Sequence, residues 1–117
     1  MPRSLLATAL FLAGAFLPTA TFAAVDAAGF YQMRCAACHG ADGQGTRASV
    51  PPLAPALKGN PFVVNGSPAA LRTVIRKGRS GQKRLYNDAY PNMPSFGSEA
   101  VPDVDGLVAY IKGDLQR

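Results

Sequence analysis

Residues 34–45 read RCAACHGADGQG, and this stretch decides the fold. Cys35 and Cys38 stand three positions apart, so on a helix they face the same side, and His39 follows directly. Two thiols so placed can add to the two vinyl groups along one edge of a haem while the imidazole turns under the iron. Other uses of a cysteine pair fit less well. A thioredoxin-type dithiol belongs in a βαβ setting, for which the sequence gives no pattern. A structural zinc needs two further Cys or His ligands, and the chain holds only two cysteines and one histidine. A disulfide framework in a short exported chain needs more than one pair. The expected cofactor is therefore one covalent haem c, bound through Cys35 and Cys38 with His39 as an iron ligand.

Upstream, residues 26–38 read as the helix that delivers the cysteines. Asp26 is its N-cap, Ala27 and Ala28 suit the first turn, and Phe30, Met33 and Cys38 lie near one face. Earlier still, Arg3 precedes an apolar run over residues 5–17, which Pro18 breaks ahead of small residues. This is the pattern of a secretory signal peptide, with cleavage expected after Ala23. The run is short of the ~20 residues that span a bilayer, so no stable membrane insertion is expected after cleavage. The division is then a signal peptide, 1–23, and one small domain, 24–117. Without Arg3 the formal charge falls from +5 to +4. A domain so small gains stability from a staple or cofactor, which a large apolar macrocycle supplies.

Downstream, Gly40, Gly43, Gly45, Pro51, Pro52, Pro55, Gly59, Pro61 and Gly66 punctuate a stretch without helical or alternating period. It reads as a long loop, and loops of that length in compact domains wrap something or carry function. A carbonyl of Pro51 or Pro52 could accept the Nδ1 proton of His39 and fix its tautomer; stiffening of the loop explains the same prolines equally well. Ser67 and Pro68 form an N-cap and first-turn pair, and Leu71, Val74 and Ile75 recur at helical spacing until Gly78. Pro102 and Asp103 open a last helix with Leu107, Val108, Ile111 and Leu115 on its core face. The expected class is all-α, with three main helices and long loops around one haem.

The second iron ligand follows by elimination. His39 is the only histidine. Met33 lies two residues before Cys35 and would have to cross the ring, so it reads as core filling. Met93 remains, flanked by Pro91 and Pro94, with Phe96 placed to shield the iron from water. With an imidazole and a thioether on the iron, no coordination site stays open for oxygen or peroxide chemistry. One-electron transfer is left, and no residue is assigned a catalytic role.

Arg72, Arg76, Lys77, Arg79, Lys83 and Arg84 crowd six cations into residues 72–84 with no acid among them. The segment reads either as a docking face for an acidic redox partner or as a solvated surface. No stacking aromatics or recognition motif accompany it, which excludes a nucleic-acid reading.

The chain resembles the class I, His/Met-ligated monohaem c-type cytochromes of bacterial periplasms. The resemblance is carried by RCAACHGADGQG at 34–45, Pro51-Pro52-Leu53, NMPSFG at 92–97 and GLVAYIK at 106–112. It implies a cytochrome c fold, covalent cysteines at Cys35 and Cys38, a proximal ligand at His39 and a distal one at Met93. It also implies Pro52 as the residue orienting the histidine, and a crossing of first and last helices where Gly29 and Phe30 meet Tyr110 or its neighbours. Similar proteins accept electrons from periplasmic quinoprotein or flavoprotein dehydrogenases and pass them to oxidases or other respiratory acceptors. The alternatives are an obligate cytochrome subunit of a dehydrogenase complex and a haem peroxidase or ligand sensor. Residues 79–92 depart from small relatives by inserting a basic, tyrosine-bearing segment before the methionine.

Overall fold

A computed structural model describes residues 26–46, 52–85 and 90–117. The expected signal segment and Pro51 lie outside the described residues. The regular elements are helical: α1 (Ala27–Arg34), α2 (Ala36–His39), α3 (Pro61–Asn65), α4 (Pro68–Lys77) and α5 (Val104–Lys112). Short 3-10 turns occupy Gly81–Lys83 and Asp114–Gln116, and Arg79 and Met93 form an isolated antiparallel bridge. The all-α class is as expected.

Except for α2, which no side chain caps, each α-helix starts where its cap dictates. The Asp26 carboxylate accepts from the Gly29 amide at 2.7 Å, the Ser67 hydroxyl from Ala70 at 3.1 Å, and the Asp103 carboxylate from Gly106 at 2.8 Å. The expected first helix is realised in two pieces. At Cys35, φ −111° and ψ −35° interrupt the ladder, while the amides of both Cys38 and His39 donate to the Cys35 carbonyl. The chain then continues as α2. Helix α3 falls inside the stretch expected to be loop. Its cap is the Asn60 side chain, which accepts from the Phe62 amide at 3.0 Å, with Pro61 in the first turn.

The core lies where α1 and α4 pack on α5. Leu71 and Ile75 of α4 meet Leu107, Val108 and Ile111 of α5, with Val101 and Leu115 closing the ends. Tyr31 of α1 is wholly buried, its ring centroid 5.6 Å from that of Tyr110, and its hydroxyl donates to the Gly40 carbonyl at 2.7 Å. Its pKa is raised, chiefly by burial, so the hydroxyl stays a donor. The first and last helices therefore cross as expected, with Tyr31 rather than Phe30 in ring contact with Tyr110; Phe30 turns to the cleft. Met33 corrects the reading of α1: it is 61% exposed and fills no core.

Lys112 ties α5 to α3. Its ammonium donates to the carbonyls of Val63, Val64 and Gly66 at 2.8, 3.2 and 2.5 Å, placing a cation at the negative end of α3. Lys112→Met removes the charge-assisted bonds and is expected to cost about 1–3 kcal/mol. In urea melts this appears as a lower midpoint at unchanged slope.

Candidate functional site

The helices leave a cleft, partly open to solvent, walled by apolar side chains of α3, α4 and α5. An apolar lining of this kind suits a large flat macrocycle. Cys35, between α1 and α2, lines it together with Cys38 and His39 of α2, and Met93, Pro94 and Phe96 line it from the segment before α5. The four residues singled out in the sequence thus share one cavity.

His39 is the most informative group. Its Nδ1 lies 2.9 Å from the Pro55 carbonyl oxygen. A carbonyl only accepts, so Nδ1 carries the proton and Nε2 keeps its lone pair. Burial lowers the imidazole pKa, with the Pro55 bond working against that shift, so the ring is neutral near pH 7, the state that ligates a metal. The orienting residue is therefore Pro55, a correction to the expectation of Pro52. The loop register explains the difference. The amides of Leu57 and Lys58 donate to the Gly43 carbonyl at 2.7 and 2.9 Å, which carries Pro55 beneath the ring. Pro52 instead lines a separate shallow hollow with Thr46 and Tyr90.

Burial and then the neighbouring Cys38 push the Cys35 thiol up to about 11. Redox-active dithiols show the opposite, a depressed thiol pKa. Among the described residues no group of three or more His, Cys, Asp or Glu could hold a metal, so the zinc alternative finds no ligand set. An apolar cavity with paired thiols and a neutral imidazole oriented through Nδ1 fits a covalent haem.

Met93 is held by its backbone. Its amide donates to the Arg79 carbonyl at 2.9 Å, and the Arg79 amide donates to its carbonyl at 3.0 Å. Farther along, the Phe96 amide donates to the Ile75 carbonyl at 2.9 Å, and Arg76 donates to the carbonyls of Val101 at 2.8 Å and Phe96 at 3.4 Å. The end of α4 thus anchors the methionine segment. Phe96, half-buried, packs against the core beside it.

The six cations of residues 72–84 do not form one outward face. Arg72 pairs with Asp105 at 2.6 Å, and Arg76 serves the methionine segment. Arg79 and Arg84 line the cleft, while Lys77 and Lys83 are exposed. The docking reading survives only for the two lysines. Among the described residues no helix is long and apolar enough to cross a membrane.

Comparison with known proteins agrees with this geometry. The family model described as "Cytochrome C oxidase, cbb3-type, subunit III" matches residues 22–111. Among solved structures, the c-type cytochrome XoxG from Methylobacterium extorquens AM1 matches at 25% identity and a TM-score of 0.55, over 77% of this chain and 48% of that one. The chain thus spans about half the length of that cytochrome. No curated protein sequence matches it. An attachment motif facing an apolar cleft, a helical fold shared with a c-type cytochrome and a family match over most of the sequence converge: the chain belongs to the family of the cbb3-type cytochrome c oxidase subunit III, and is a c-type cytochrome that carries covalent haem and transfers electrons.

Proposed function

We propose that Cys35 and Cys38 form the thioether links to the haem, that His39 and Met93 ligate its iron, and that the protein is a class I periplasmic electron carrier. When bound, the haem supplies a one-electron iron couple. The protein sets how that couple behaves. His39 is fixed by Pro55 as a neutral donor, Met93 offers a thioether that favours ferrous iron, and the apolar walls keep water away. The observation that carries this reading is the Nδ1 contact of His39 with Pro55, which makes sense for an imidazole that lends Nε2 to a metal.

Residues 1–23 act in this reading as a signal peptide cleaved after Ala23, leaving residues 24–117 in the periplasm. The donor is a quinoprotein or flavoprotein dehydrogenase and the acceptor a component of the respiratory chain. Lys77, Lys83 and Arg34, all exposed, supply positive potential for an acidic partner.

The test is spectroscopic. The protein purified from periplasm should start at Ala24, give a pyridine haemochrome that acidified acetone does not extract, and in its ferrous form leave carbon monoxide unbound at neutral pH. Carbon monoxide uptake within the mixing time overturns ligation by Met93. Extraction of the pigment overturns the thioether assignment.

A further inference from the structure

The cleft is lined by Arg34, Arg79 and Arg84 and by no aspartate or glutamate among the described residues. A cation on an apolar wall is costly unless an anion meets it. Arg34 is exposed beside Cys35, where water solvates it. Arg79 is different. It is half-buried, its guanidinium carbon lies 4.7 Å from the Phe62 ring centroid, and its Nη1 donates to the Lys83 carbonyl at 2.8 Å. Its backbone is fixed by the Met93 bridge. Stacked and hydrogen-bonded at one corner, the guanidinium is held in place, yet among the described residues it has no carboxylate partner. Arg84 donates to the carbonyls of Tyr90 at 2.6 Å and Gly81 at 3.2 Å, tying the two ends of the inserted segment together at the cleft.

We propose that Arg79, supported by Arg84, is the carboxylate anchor of the cofactor: the guanidinium fork receives a haem propionate. This rests on haem occupying the cleft as set out above. It gives the inserted segment a role inside the site, where the sequence pointed to a partner on the outside. A planar fork fixed by stacking suits a carboxylate better than a lysine does. The positive charge it brings favours ferrous iron.

The test compares holoprotein variants by potentiometric titration and by NMR of the ferric state. Arg79→Gln is expected to move the ferric-to-ferrous ratio at fixed applied potential roughly tenfold toward ferric, about 59 mV for a one-electron couple. It should also displace the hyperfine-shifted propionate methylene resonances. Arg79→Lys recovers part of the potential, because it keeps the charge and loses the fork. Lys83→Gln removes an equal charge from the same segment outside the cleft; its effect should be less than twofold and fade with salt. The proposal falls if Arg79→Gln and Lys83→Gln shift the ratio equally, or if the propionate resonances stay in place. It falls as well if Arg79→Gln acts by abolishing the sulfur-to-iron charge-transfer band, since its effect then passes through Met93. Should Arg79→Gln fail to accumulate, the propionate resonances of Arg79→Lys decide by the same criterion. Absence of the band in the unaltered protein, by contrast, counts against Met93 ligation and leaves the anchor standing on its own readout.

Discussion

Replacing Met93 with alanine is expected to lower the reduction potential by a few hundred millivolts, a large part of the ~0.8 V that axial ligands command. A thioether is a soft donor that favours ferrous iron, and its loss leaves water or nothing in its place. Under the proposed attachment through Cys35 and Cys38 the haem stays in the variant, so the comparison is between ligand sets and not between loaded and empty protein. The cleft is partly open to solvent, so external ligands can reach the vacated side. Cyanide should bind the ferric variant and carbon monoxide the ferrous one. Potentiometry and ligand titration check this together. An unchanged potential and an unchanged visible spectrum would show that Met93 is a packing residue, and the ligand would have to be sought elsewhere.

How much of this was readable beforehand depends on the range of each interaction. The caps at Asp26 and Ser67 are local, resting on a side chain and an amide three residues on, and they appear in the structure as expected; Asp103, expected to open the last helix, caps it in the same way. The core faces of α4 and α5 are periodic and were equally legible. Helix α3 was missed because five residues are too few to show a period. Its signal was nonetheless present: Asn60-Pro61 is the same cap and first-turn pair as Ser67-Pro68. Met33 was misplaced because the core face of α1 is set by Tyr31, whose hydroxyl reaches the Gly40 carbonyl, a contact no helical wheel contains. Pro55 was missed for a related reason. Which of several prolines returns under His39 depends on the Gly43 hydrogen bonds to Leu57 and Lys58, across a loop whose closure has no sequence period. The split of the six cations is likewise tertiary. Arg76 and Arg79 look alike in sequence, and only the fold sends one to the Val101 carbonyl and the other over Phe62. Chemistry carried by adjacent residues was therefore legible, whereas chemistry completed by a distant carbonyl was not.

The same distinction predicts that Gly78→Ala acts on a residue fifteen positions away. Gly78 caps α4 with φ +67°, a conformation side chains rarely adopt, and a Cβ there would lie 2.4 Å from the Met93 carbonyl oxygen and 2.8 Å from the Pro94 carbonyl carbon. Those neighbours are backbone, so they cannot rotate aside. The Met93–Pro94 segment must move, and moving it breaks the two hydrogen bonds of the Arg79 bridge. Expected consequences are a loss of about 2–4 kcal/mol in stability and a weakened or absent sulfur-to-iron charge-transfer band. Gly59 provides the matched control: its φ is +71°, and nothing lies within 4 Å of the added carbon. Gly59→Ala should cost only the backbone strain, about 1–2 kcal/mol, and leave the band intact. If both substitutions lower stability alike and neither touches the band, the crowding at Gly78 does not govern Met93. If only Gly78→Ala loses the band, the close approach of the α4 cap to the Met93 carbonyl is what sets the proposed distal ligand in place.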